Sequence, residues 1–192
     1  IIMEFSEGAE IGEGYVMQSV GGETIPRKIL RDDSYKNIRN KLPYEIGKSL
    51  AQIHKTKLEK LQDLEKITFS ESLEKLFIIY ESFDQPQPVF DLAFKWLENQ
   101  KILDYEEVLV HGDYRFGNFI ISEKKLESII DWELAHIGNP MEDLGWLCVR
   151  SWRFGNVNKR AAGLGDVDDL IAGYESNSKI KIDKSQLDMW QL

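Results

Sequence analysis

The sequence predicts an α+β fold. Short strand-like apolar runs stand at the start of the chain and again in its middle, and segments with helical periodicity lie between and after them. With 42% hydrophobic residues, 30% charged residues and five Trp, seven Tyr and nine Phe, the chain can build a packed core, and global disorder is excluded. Its 192 residues suit one domain or one large lobe of a bigger protein.

Residues 1–20 read as two strands, "IIMEF" and "GYVMQSV", around the Gly- and Glu-rich turn "SEGAEIGEG". Gly12 and Gly14 make no dinucleotide fingerprint, because no strand–G-x-G-x-x-G–helix context follows; a hairpin turn is the better reading. Gly21-Gly22 breaks the second strand. From about Pro43 the period becomes helical, with Ile46, Leu50, Ile53 and Lys57 on one face beside Ala51 and His54. His54, near the end of that helix, reads as a structural or capping group. Further helices are expected around 71–83 and 89–101, separated by "DQPQP".

Residues 108–133 form the β section, with "VLVHGD", "NFII" and "ESIIDWE" as short strands. The next helix, in "GNPMEDLGWLCVRSW", has strong start signals. Asn139 is placed as N-cap, Pro140 at the first helical position and Glu142 to close a capping box. One more helix, near 166–177, is acidic at its start, as the helix dipole favours. The chain opens on Ile1 without an initiator Met and stops in "LDMWQL", apolar and helical in pattern, so a fragment of a longer protein is expected.

Charge and cysteine usage narrow the function. The net charge of −9 disfavours nucleic acid phosphates and anionic membrane surfaces as partners and tolerates a cationic substrate. A nucleotide site in such a chain needs a local basic group or a divalent metal. The single cysteine, Cys148, lies in an apolar stretch and reads as a small buried hydrophobe; no disulfide framework is possible, which fits a reducing, cytoplasmic compartment. No run approaches the roughly 20 apolar residues of a membrane span, and no secretory signal is visible.

The chemistry concentrates in "VLVHGDYRFGNFII", residues 108–121. Strand alternation puts His111 and Asp113 on one side, with Gly112 allowing a bend. If "NFII" and "ESIID" pair as a hairpin turning at Lys124-Lys125, Asn118 falls opposite Asp131, at the open end beside Asp113. Oxygen-bearing groups converging there suit a hard cation. Mg²⁺ takes one or two carboxylates or amides and completes its shell with water and phosphate oxygens. Asp113 is then free for an acceptor, and phosphoryl transfer needs mainly orientation and charge neutralisation from its carboxylate. Arg115 reads either as a loop–loop salt bridge or as a phosphate or substrate contact. Trp132, Trp146 and Trp152 read as core or pocket wall, and His136 as a turn group.

"HGDYRFGN" followed by "IIDWE" resembles the aminoglycoside phosphotransferase and choline kinase-like superfamily, whose fold is the protein-kinase one. "DWELAHIGNPMEDLGWL" is similar to the branch found fused to, or encoded beside, acyl-CoA dehydrogenases. "GYVMQSVGGETIPR" resembles the last N-lobe strand and hinge, and "LAQIHK" the helix before the catalytic loop. The resemblance implies a partial N-lobe and hinge over 1–20 and a helical C-lobe over 21–192. It also implies ATP with Mg²⁺ as cofactors and a small-molecule hydroxyl of aminoglycoside, choline or hydroxyacyl type as acceptor. Asp113 would be the catalytic base, and Asn118 and Asp131 the metal ligands. Gln18 and Val20 would offer backbone groups to adenine. His111 would support the loop, Glu133 would contact metal or substrate, and Asp143 would tie the following helix to the loop.

The nucleotide-covering loop, the strand Lys and its helix Glu partner cannot be placed in this sequence, so little kinase activity is expected of these residues alone. Two alternatives stand beside the kinase: a pseudokinase that binds nucleotide without transfer, and a metal-dependent phosphate-ester hydrolase using His111, Asp113, Asp131 and His136. Transfer to no acceptor would favour the first, and ester hydrolysis without nucleotide the second.

Overall fold

A computed structural model describes residues 3–5 and 14–192. Strands β1 (Met3–Phe5) and β2 (Gly14–Val16) pair antiparallel, Phe5 opposite Gly14. Most of the turn expected between them lies outside the described residues. The second strand is shorter than "GYVMQSV"; residues 17–21 have no regular structure and are exposed. The segment is then pinned down, because Glu23 and Ile121 exchange backbone hydrogen bonds of 2.9 and 3.0 Å.

Helices α1 (Pro26–Arg31) and α2 (Lys36–Arg39) follow; neither was expected from periodicity, and each is too short to show one. Helix α3 (Leu42–His54) is the centre of the molecule, burying Leu42, Ile46, Leu50 and Ala51. Lys57 lies beyond its end. It packs on α7 (Val167–Ser176) through a glycine on each side. A Cβ on Gly47 would collide with the Leu170 carbonyl, and one on Gly173 with the Tyr44 carbonyl. The backbones therefore approach more closely than any side chain would allow, and Leu170 and Tyr174 are fully buried in this contact.

Between these elements α4 (Phe69–Ser82) and α5 (Pro88–Glu98) form a hairpin of helices. A capping box starts α4: the Glu71 N–H donates to Thr68 Oγ1, and the Thr68 N–H donates to Glu71 Oε2 at 2.7 Å. Phe77 and Phe94 pack edge to face with centroids 5.2 Å apart, yet neither helix has a buried residue.

The β section contains two separate ribbons. Strand β4 (Phe119–Ile121) pairs with β5 (Leu126–Ile129), Phe119 opposite Ile129, with an irregularity at Ile120/Ile121. The Ile130 N–H donates to the Asn118 carbonyl, so Asn118 stands across from Ile130 and Asp131 lies one step beyond. This corrects the expected register by one residue. The turn has no glycine to set it; instead the Lys124 and Lys125 N–H groups donate to Ser122 Oγ. Strand β3 (Val108–Val110) pairs with β6 (His136–Gly138), so His136 belongs to a strand and not to a turn. Three residues cannot display an alternation, and β6 owes its existence to long-range pairing with β3 and with residues 65–67.

Helix α6 (Met141–Cys148) starts one residue later than expected, with Pro140 at the N-cap and not at the first helical position, although Asn139 Oδ1 still accepts the Met141 N–H at 2.9 Å. The capping box is absent, because Glu142 Oε2 meets His136 Nε2 at 3.2 Å. Cys148 is buried, and burial pushes its thiol up to about 12. Helix α8 (Lys184–Met189) packs on α6 and ends before the last three residues. Among the described residues no helix is long and apolar enough to cross a membrane.

Candidate active site

The loop between β3 and β4 is built on buried aromatics. Tyr114, Phe116 and Phe119 are fully buried, and the Tyr114 hydroxyl donates to the Ile46 carbonyl of α3 at 2.9 Å. Asp113, just before the first anchor, and Arg115, between the first two, are half-buried, and Asn118 is buried in the loop interior. Gly112 has φ +83, and a Cβ there would strike the Leu134 carbonyl, so the bend demands glycine.

Asp143 of α6 holds the bend. Its Oδ2 accepts the His111 N–H at 2.8 Å and its Oδ1 the Gly112 N–H at 3.1 Å. The same carboxylate meets His54 Nε2 at 3.2 Å, and His54 Nδ1 lies 2.8 Å from the Tyr174 hydroxyl. A carboxylate oxygen accepts, so the arrangement that satisfies all three groups has Nε2–H donating to Asp143 and Nδ1 accepting the Tyr174 hydroxyl hydrogen. Asp143 and His54, both buried, thereby join the loop to α3, α6 and α7. His111 is fully buried. Its Nδ1 accepts the Asp113 N–H at 3.2 Å, leaving Nε2–H to donate to the Ile130 carbonyl at 3.1 Å.

Three donors surround the Asp113 carboxylate. Trp146 Nε1 donates to Oδ1 at 2.7 Å, Asn118 Nδ2 to Oδ2 at 2.7 Å, and Arg115 Nε to both oxygens at 3.1 and 2.8 Å. Burial pushes the carboxyl pKa up, but the Trp146, Asn118 and Arg115 hydrogen bonds and the Arg115 charge together outweigh it and hold it below the ordinary aspartate value. The Arg115–Asp113 salt bridge thus lies within one loop, and Arg115 also stacks over Trp152, its guanidinium carbon 4.9 Å from the ring centroid. Trp146 and Trp152 meet edge to face at 5.5 Å.

Asn118 is buried, and its amide nitrogen is committed to Asp113, which leaves the carbonyl oxygen as the atom available to a cation. Asp131 is exposed and has φ +73, a left-handed conformation that turns the chain out of β5. An amide oxygen and a carboxylate are donor types that Mg²⁺ takes when water and phosphate complete its shell. Glu133 is exposed in the following turn, and Gln18 and Val20 are exposed on the pinned segment before Glu23. Among the described residues no group of three His, Cys, Asp or Glu is placed to hold a metal. A hydrolase site on His111 and His136 is not formed: one ring faces the Ile130 carbonyl, the other Glu142.

Trp146 and His54 were not singled out from sequence for these contacts. For Trp146 a signal existed: Asp143 and Trp146 are three residues apart on a helix and so share the face turned to the loop.

The fold is that of the kinase-like phosphotransferases. A Ralstonia eutropha structure described as an aminoglycoside phosphotransferase superposes with a TM-score of 0.71 at 23% identity, over 91% of this chain and 58% of that one. The GDP and kanamycin complex of APH(2″)-IIIa gives 0.67 at 16% identity, over 100% of this chain and 63% of that one. The model of the phosphotransferase enzyme family matches residues 4–176, and the chain belongs to that family. Acyl-CoA dehydrogenase family member 11 of Pongo abelii is 28% identical over 195 residues, covering 90% of this chain and 24% of that protein. The Homo sapiens protein of the same name is 30% identical over 157 residues, covering 74% and 19%. The chain thus spans about a quarter or less of these curated relatives.

Proposed function

We propose that the chain carries the catalytic loop and metal side of a small-molecule kinase, which moves the γ-phosphoryl group of ATP to an acceptor hydroxyl with Mg²⁺ present. The observation behind this reading is the Asp113 carboxylate, oriented by Trp146, Asn118 and Arg115 on a loop anchored to Asp143. Residues 1–20 then act as the end of the nucleotide-side lobe and hinge, with Gln18 and Val20 facing adenine through their backbone. Residues 21–192 act as the catalytic lobe.

Asp113 is ionised at neutral pH and is a weak base. It orients the acceptor hydroxyl and takes its proton late, when oxygen–phosphorus bonding is advanced. Arg115, on the longest and most flexible of the three donor side chains, is the one that releases an Asp113 lone pair for that hydroxyl. His111 and Asp143 hold the loop while this happens. Asn118 and Asp131 would hold Mg²⁺, which when bound neutralises phosphate charge, and Glu133 would contact metal or substrate. A working association with an acyl-CoA dehydrogenase, and a cytoplasmic setting in keeping with an unpaired Cys148, complete the proposal.

The test is ADP formation with Mg²⁺–ATP and a panel of alcohols, kanamycin and choline, in the complete protein. Asp113→Asn should lower turnover by about 10²- to 10⁴-fold, the usual worth of a positioned acid or base. Asp131→Asn should weaken Mg²⁺–nucleotide binding. Turnover retained in Asp113→Asn, with the protein folded, refutes the role.

A further inference from the structure

A cavity of about 390 Å³ lies beside the catalytic loop, with Gly112 in its lining. Its walls include Leu73 and Leu76 of α4, Leu97 of α5, Trp146 of α6, and Trp190 just after α8. The lining has a single ionisable side chain, Glu142, and that carboxylate is already engaged by His136 at 3.2 Å. An ammonium group placed here would give up part of its hydration to apolar walls and find no free counter-charge in the lining, an unfavourable exchange. A polycation would meet the same penalty several times over. Apolar surface, by contrast, gains about 25 cal/mol for each Å² removed from water.

Trp146 connects this cavity to Asp113. Its ring is part of the wall, and its indole N–H donates to Asp113 Oδ1 at 2.7 Å. A molecule seated in the cavity is therefore one ring away from the carboxylate.

We infer that this cavity seats the acceptor of the proposed transfer, and that the acceptor is an alcohol with an uncharged, apolar body. The inference rests on the phosphotransferase reading above. It sets the substrate class apart from aminoglycosides and from choline.

The experiment has a binding arm and a transfer arm, both on the complete protein. Straight-chain 1-alkanols of four to eight carbons are titrated while tryptophan fluorescence is followed, since two of the wall residues are Trp146 and Trp190. Each added methylene should tighten binding about fourfold, the worth of burying one CH₂. Leu76→Arg should weaken 1-octanol at least tenfold without changing the melting temperature, because Leu76 is 57% exposed and its substitution opens no core. Leu73→Arg is the second variant. Affinity independent of chain length, or 1-octanol bound by both variants as by the wild type, overturns the inference. In the transfer arm, phosphorylation of alcohols that rises with chain length and falls in Leu76→Arg is expected. Transfer to kanamycin or choline alone, unaffected by Leu76→Arg, overturns the cavity assignment and leaves the kinase reading intact. Chain-length-dependent binding with transfer to no acceptor refutes the kinase reading and the acceptor role together, while identifying an apolar ligand site.

Discussion

Replacing Asp143 by Ala should unlock the Asp113 loop and remove a large share of the fold's stability. The carboxylate accepts the His111 and Gly112 N–H groups at 2.8 and 3.1 Å and meets His54 Nε2 at 3.2 Å; Asp143, His111 and His54 are buried, and Gly112 is partly so. Hydrogen bonds to a charged group contribute about 1.5–3 kcal/mol each, and a buried donor left alone carries a comparable penalty. Removing a buried carboxylate also relieves its desolvation, which offsets part of the loss. The net expectation is a loss of about 3–5 kcal/mol, a large share of the roughly 5–15 kcal/mol that holds an ordinary domain together. Urea unfolding followed by circular dichroism measures it. Asp143→Asn keeps one acceptor oxygen and should lose less, about 1–3 kcal/mol. A double-mutant cycle with His54→Gln should show a coupling of about 0.5–3 kcal/mol, because the two side chains touch. A loss under about 1 kcal/mol for Asp143→Ala, or additivity with His54→Gln, would refute the account of Asp143 as the loop's anchor.

Trp146→Phe removes one donor from Asp113, so the carboxyl should rise toward its ordinary value. The acid limb of the turnover profile then moves to higher pH, and an unmoved limb contradicts the assignment. Gly173→Ala gains about 1 kcal/mol of helix propensity but drives a methyl into the Tyr44 carbonyl. Overpacking of about 1–3 kcal/mol or more should win, seen as a lower urea midpoint. His136 should make stability fall with rising pH. Burial lowers its pKa, but the Glu142 carboxylate and the Leu134 carbonyl outweigh burial and leave it raised. Its contribution is therefore complete below about 6.5, the unfolded value, and is lost as pH climbs through the folded value. Glu142→Gln should flatten that slope in melting curves taken from pH 6 to 9.

The long helices were legible because their apolar spacing is local information. Ile46, Leu50 and Ala51 mark the buried face of α3 in the sequence, and the same residues are buried in the structure. The hairpin around Ser122 was legible as a hairpin, but its register was not. Side-chain bonds from Ser122 set the turn, and the irregularity at Ile120/Ile121 shifts the pairing, so Asn118 faces Ile130 and not Asp131. Strand β6 escaped notice because its pairing partners lie about 28 and 70 residues away. The Glu142 capping box failed for a similar reason, since His136 competes for the carboxylate from a neighbouring strand.

By itself the sequence determined the α+β class, the main helices and the loop on which Asp113, Arg115 and Asn118 sit, all of which follow from spacing within a few residues. Only the tertiary structure decided what surrounds Asp113: the indole of Trp146, the Arg115–Trp152 stack, and Asp143 bridging the loop to His54. It also decided that the cavity beside the loop is apolar. These features depend on residues from α3, α4, α6 and α7 meeting in space. Burial, which gives their hydrogen bonds and contacts their strength, is a property of that meeting and of no single segment.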